Sequence, residues 1–329
     1  MATELAPRLA DVPGWDERTL VTCVSARPVG GVEVWRIPLA AALAAATGES
    51  AQQWAARIEE SVARLGLEHT RVGTAVDVRL GEYEWLLPLA DDDMRLWHGG
   101  PGSVVVRSFS GAEHRHTGRA GLAEQVERAL VFADAVMGLA RAAGDAATRG
   151  FGEQPGAVAV TGPVESRRVA LGPVSVVGDR AETLWVSPRE PSTPVRAALL
   201  AARPGAPVEL DTERLLTRTS ANPGFLLVHT ALMAAARATT EPDCPARASV
   251  RDDGAESLIV GLASYPFVVE KGLATADPGM VLRHLLTVAS RCARLGAGGS
   301  EPRRHLWQSA AAVLAHGIEA LGMRLPSRI

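Results

Sequence analysis

Ser103-Val104-Val105-Val106-Arg107-Ser108-Phe109 leads through the polar segment Gly111-Ala112-Glu113-His114-Arg115-His116-Thr117-Gly118-Arg119 into an apolar run that extends from Leu122 to Ala140. The first segment is short and β-branched, which predicts a strand. In the last, Leu122, Val126, Ala129, Leu130, Ala133, Val136, Met137 and Ala140 recur at helical spacing, and Val131, Phe132, Ala135 and Leu139 add a second apolar stripe. A helix with so narrow a polar face has to be covered on more than one side, by a sheet beneath and by other elements above. Thr117 or Gly118 suits its N-cap, Glu124 and Glu127 lie where the positive helix end favours carboxylates, and Arg141 and Gly144 mark its close.

Toward the N-terminus, Thr3 to Leu9 reads as a short helix ended by Pro13-Gly14. Thr19 to Ser25 and Gly31 to Ile37 read as a strand pair around Arg27-Pro28-Val29-Gly30. Leu39 to Ala46 is alanine-rich and helical, and Ser50-Ala51-Gln52-Gln53 is a capping box opening a helix with Trp54, Ile58, Val62 and Leu65 on one face and Gly66 as its stop. Leu67 to Leu80 and Glu82 to Leu87 alternate as strands do. This first half predicts a mainly antiparallel sheet covered by helices.

Toward the C-terminus, glycines and Pro155 interrupt periodicity over Asp145 to Gly156, which predicts a linker. Ala157 to Val160, Arg168 to Val177 and Glu182 to Val186 then suggest a meander. Helices follow Ser192-Thr193-Pro194, Asp211 and Asn222-Pro223, and Arg251-Asp252-Asp253-Gly254 predicts a hairpin between Ala248-Ser249-Val250 and Ser257 to Ala263. Asp277-Pro278 and Ser300 open two final helices with Gly296 and Gly322 as stops, predicting an antiparallel helical hairpin over 277–322. The expected architecture is α+β: two α/β halves, 1–150 and 151–329, each with a mainly antiparallel sheet covered by helices, the second ending in that hairpin.

A chain of 329 residues exceeds one ordinary core, and its 47% apolar and 22% charged residues are those of a globular protein. The net charge of −3 gives no global attraction to nucleic acid or an anionic membrane, so neither is expected as a partner. Lys271 is the only lysine, a bias read as genomic composition. Cys23, Cys244 and Cys292 lack metal-ligand spacing, and Cys292 falls on an apolar helical face. No targeting pattern or spanning run is evident, which makes a cytoplasmic location the expectation.

The candidate chemistry lies in the loop of the opening stretch. His114 and His116 fall on one side of an extended segment, and with His98 or Glu113 they have the donor types of a metal site, although two imidazoles in a polar loop assign no metal by themselves. Ser110, Gly111, Arg115, Thr117 and Arg119 at a helix start suit a small anionic ligand, with His114 and His116 as candidate catalytic acid and base. The residues do not identify a cofactor. The glycine run before Ser300 lacks a preceding strand and a Gly-Lys-Ser/Thr ending, so it is a helix–helix turn.

The order of a first helix, Pro13-Gly14-Trp15, two strands, a helix and then Glu68-His69, together with Arg115-His116-Thr117-Gly118-Arg119-Ala120-Gly121-Leu122, resembles the layout of pterin carbinolamine dehydratase over less than half of the chain. That family's adjacent histidines and following proline stand here as His69-Thr70-Arg71, so its catalytic pair is missing and no function is carried across. Abundant core signals without a dense catalytic cluster favour a non-enzymatic interaction or assembly protein, chaperone- or adaptor-like, with a protein partner or a second copy of itself. The alternative is an enzyme or binding protein for a small anionic ligand at loop 110–119.

Overall fold

The structure, a computed structural model, describes residues 27–28, 34–37, 39–64, 66, 68–79, 103–108, 122–143, 146–151, 157–161, 166–178, 185–187, 190–240, 253–298 and 304–326. Strands β1 (Arg27–Pro28), β2 (Val34–Ile37), β3 (His69–Val72) and β4 (Ala75–Arg79) form an antiparallel sheet of order β1-β2-β4-β3. Helices α1 (Leu39–Thr47) and α2 (Ala51–Arg64) lie between β2 and β3 in the chain. The capping box is present: Gln53 N–H donates to Ser50 Oγ at 3.2 Å, and Ser50 N–H donates to Gln53 Oε1 at 3.0 Å. The single strand expected from Leu67 is broken at Gly73, whose φ of +64° turns the chain into a hairpin. Alternation then buries Ile37, Val76 and Val78, while Arg36 grips Asp77 on the other face through two bonds of 2.7 and 2.8 Å.

The second sheet has the order β6-β5-β7-β8, from β5 (Ser103–Ser108), β6 (Ala146–Phe151), β7 (Ala157–Thr161) and β8 (Ser166–Ala170). Its β5–β6 pair is parallel, so α3 (Leu122–Ala142) is a crossover helix. This corrects the linker expected over Asp145 to Gly156: Gly150, read as a breaker, stands opposite Arg107 in the ladder. Pairing with a distant strand, not local pattern, makes this segment a strand. The two-sided covering expected of α3 is present. Its residues from Ala129 to Ala143 pack on β5, β6, β7 and β9 (Val174–Val177) on one side and on four helices on the other.

The expected meander is replaced by separate pairs. β9 runs parallel to β12 (Val208–Asp211), with α4 (Thr193–Ala201) between them in the chain, and β10 (Trp185–Ser187) pairs with β11 (Glu190–Pro191). Arg128 of α3 fastens this region. Only 1% exposed, its guanidinium donates to the carbonyls of Gly172 (2.8 Å), Ala206 (2.7 Å) and Arg203 (3.0 Å). Burial lowers its pKa, and no side-chain carboxylate bonds it among the described residues.

The remainder is helical: α5 (Thr212–Leu216), α6 (Pro223–Thr240), α7 (Asp253–Ala263), α8 (Tyr265–Ala274), α9 (Pro278–Gly298) and α10 (Arg304–Ala320). The hairpin expected between Ala248 and Ala263 is corrected, since Ser257 to Ala263 lies within α7. Ala255, Leu258, Ile259 and Leu262 share a buried helical stripe that outweighs the β-branched character of Ile259 and Val260. The layout of two α/β halves with antiparallel sheets is corrected with it, because the described residues are mostly helical with small sheets and two of the pairings are parallel. The final two helices are present, with α9 running through the expected stop Gly296 to Gly298, α10 spanning Arg304–Ala320 and the expected cap Ser300 outside the described residues, and Leu285 of α9 meets Gly317 near the end of α10.

Helix α9 is the centre of the bundle, packed by α3, α4, α6, α7, α8 and α10. Val281, Leu282, Leu285, Val288, Ala289 and Cys292 have no exposure. Three neighbours each bring a glycine to it. A Cβ at Gly317 would stand 2.6 Å from Leu285 Cδ1, at Gly272 2.8 Å from Val281 Cγ2, and at Gly261 3.3 Å from Val288 Cγ2. Gly317→Ala is therefore expected to lower unfolding free energy by about 1–3 kcal/mol in urea titration; an unchanged midpoint contradicts this packing. Arg128→Ala strands three carbonyls and is expected to cost about 3 kcal/mol or more, against less than about 1 kcal/mol if water replaces the guanidinium.

Candidate functional site

The loop singled out in the sequence, with Ser110, Gly111, His114, Arg115, His116, Thr117 and Arg119, lies outside the described residues, as does His98. Among the described residues no group of three His, Cys, Asp or Glu is placed to hold a metal ion. Cys292 is buried on α9 as expected, and burial pushes its thiol up to about 12.

What the fold brings together is a set of cations on the helical bundle. Helices α6, α9 and α10 carry Arg237, Arg283, Arg291, Arg294, Arg304 and four histidines, against Glu319 as their sole carboxylate side chain. Helix α10 runs antiparallel to α6: Arg237 near the end of α6 lies 5.3 Å over the Trp307 ring near the start of α10, while Gly224 and Gly322 at the opposite ends both abut α4. Helix α7 meets α9 in the same sense, since Ser257 and Gly261 face Arg291 and His284. One end of the bundle therefore presents Arg237, Arg291, Arg294, Arg304 and His305.

Two of these are fixed from below. Trp307, 1% exposed, supports the Arg237 guanidinium by a cation–π contact. Arg291 Nη1 donates to Ser257 O at 2.6 Å. Burial, and secondarily the charge of Arg294, lowers the Arg291 pKa, yet a guanidinium stays charged at neutral pH. The sequence signal was available as the near-absence of acidic residues from these three helices, whose one carboxylate is Glu319, but a whole-chain charge of −3 averages it away.

The other end of the bundle holds a polar cluster in an apolar setting. Tyr265 is fully buried, its Oη lies 2.8 Å from His316 Nδ1, and its ring stacks 6.4 Å from that of His284. His284 Nε2 lies 2.8 Å from Gly261 O, so this nitrogen carries a proton and donates. With His284 and His316 neutral, Tyr265 O–H donates to His316 Nδ1. Burial pushes both imidazoles below their ordinary value, opposed by the Gly261 carbonyl for His284 and by Glu319 for His316, and it pushes the Tyr265 hydroxyl up. These neutral groups tie α8, α9 and α10 together.

No known protein-family profile matches the chain. The arginine–tRNA ligase of Paenarthrobacter aurescens (strain TC1) is 32% identical over 154 residues, covering 41% of this chain and 28% of the relative. The chain thus spans little more than a quarter of that curated relative. Thermus thermophilus arginyl-tRNA synthetase superposes with a TM-score of 0.60 over 100% of this chain and 99% of that one, at 12% identity, a likeness of fold. These findings correct the expectation of a non-enzymatic interaction or assembly protein with no nucleic-acid partner: the relative and the structural neighbour are enzymes whose names contain tRNA. The physical reason for the misreading is the charge average just described. No single helix among the described residues is long and apolar enough to cross a membrane; α7 and α8 reach that length and apolarity only together, as a pair bent by 43°, and both contribute to the buried core.

The Tyr265 cluster predicts a pH dependence of stability. In the unfolded chain both histidines titrate near 6.5 and in the fold below it, so the unfolded state binds more protons as acid is added. Their contribution is present above about pH 6.5 and is lost as the pH falls through the lower native values. Thermal melts are expected to drop between about pH 7 and about pH 5, and to drop less in His316→Asn, which keeps an acceptor for Tyr265. An identical drop in that variant contradicts the assignment.

Proposed function

We propose that this chain is an arginyl-tRNA synthetase-like protein whose macromolecular partner is tRNA, engaged at the basic end of the bundle on α6, α9 and α10. The observation that carries the reading is the 32% identity to an arginine–tRNA ligase. The likeness of fold supports it, and so does the charge of the bundle. In a chain of net charge −3, attraction to a polyanion has to come from a local field, and helices α6, α9 and α10 supply one. Arginine is suited to this role because its planar fork matches phosphate geometry and its flat face accepts a stacked base.

The relative's name joins two ligands, arginine and tRNA. Of these, the cations gathered on α6, α9 and α10 support the second. The test is fluorescence anisotropy with a labelled tRNAArg transcript and the full chain. Saturable binding is expected, with log affinity falling linearly with log salt by about 0.7–0.9 per neutralised phosphate. An anisotropy that does not rise even at low salt contradicts the proposal.

A further inference from the structure

Most arginines whose partners the fold defines meet a carboxylate. Arg36 pairs with Asp77, Arg57 with Glu49, Arg64 with Glu60, Arg71 with Glu59, Arg196 with Asp134 and Arg283 with Asp277. Arg128 and Arg214 instead bond backbone carbonyls and Arg237 lies on the Trp307 ring, and Arg291 and Arg294 also depart from this pattern, as two arginines side by side on one helix. They stand three residues apart on α9, a spacing that places both side chains on one face. Arg291 Nη1 donates to Ser257 O and Arg294 Nε to Ser290 O at 3.4 Å, and among the described residues neither makes an ion pair.

The helix dipole does not account for this arrangement. Its favourable effect on cations falls off within the last turn, whereas α9 continues to Gly298, about two turns beyond Arg291. Arg291 is also partly withdrawn from water, and the neighbouring cation opposes its charge. Two like charges held side by side at a partly desolvated position are an arrangement that a bound anion relieves. The carbonyl of Ser257 takes one arm of Arg291 and leaves the rest of its fork for that anion.

We infer that Arg291 and Arg294 together clasp one phosphodiester group of the bound RNA, with Arg291 as the anchored member and Arg294 as the solvent-exposed one. The inference rests on the tRNA reading above and assigns it a contact. Contacts of this kind position a polynucleotide without reading its sequence, so the pair acts on affinity and salt dependence, not on the choice among tRNAs.

The experiment measures tRNAArg affinity of the full chain across a salt series for wild type, Arg294→Glu and Arg291→Gln/Arg294→Gln, with Arg64→Gln on α2 as a control. Arg294→Glu is expected to weaken binding about tenfold near 0.1 M salt and to reduce the salt slope by about one unit. The double variant is expected to weaken it further, with Arg64→Gln unchanged. Arg294 is exposed, so its variant keeps the test valid if the double variant does not fold. Wild-type affinity and slope in Arg294→Glu overturn the pair while leaving the tRNA reading intact; a wild-type protein that binds no tRNA overturns both. If inorganic pyrophosphate raises the melting temperature of wild type and not of Arg294→Glu, with tRNA affinity unaltered by the substitution, the pair belongs to a free anion and the RNA assignment is overturned.

Discussion

Helix α9 cannot be left in water. Its residues Val281, Leu282, Leu285, Val288, Ala289 and Cys292 are all fully buried, and full burial of each larger aliphatic side chain is worth about 1.5–3 kcal/mol. Covering it requires neighbours on nearly every side. Helices α7, α8 and α10 approach closely because Gly261, Gly272 and Gly317 stand where a side chain would meet Val288, Val281 and Leu285. Branched side chains on the central helix and glycines on its partners fix the directions of the surrounding helices. Those directions in turn decide which polar residues gather at each end of the bundle.

The two ends resolve the same constraint differently. At one, Tyr265, His284 and His316 are partly or wholly enclosed and satisfy one another or a backbone carbonyl while uncharged, which is how polar groups persist in an apolar setting. At the other, arginines cannot shed their charge, so they are held at the edge by a carbonyl, as for Arg291, or by an aromatic face, as for Arg237. The first arrangement rigidifies the bundle. The second leaves a field of positive charge that the acidic balance of the whole chain conceals.

Much of this was legible in the sequence where local pattern and burial agree. The apolar circumference from Ala129 to Ala140 implied a helix covered on two sides, and Asn222-Pro223 and Ser50 with Gln53 marked helix starts that carry the expected cap bonds. Residues 146–151 were not legible as a strand, because a parallel partner forty residues earlier supplies the ladder. Helix α7 was hidden for a related reason. Asp252-Asp253-Gly254 reads as a turn, and only packing of Leu258 and Leu262 in the bundle selects the helical stripe. The basic end was missed because it is assembled from residues separated by up to seventy positions, whose individual helices each look merely amphipathic.

Hydrogen exchange of the full chain with and without tRNAArg tests the central claim most directly, because it locates the contact without altering a residue. The account predicts added protection at 237–240, 291–298 and 304–308, with the Tyr265 end of the bundle unchanged. Protection confined to 265–285, or no change anywhere in the bundle at saturating tRNA, would contradict it.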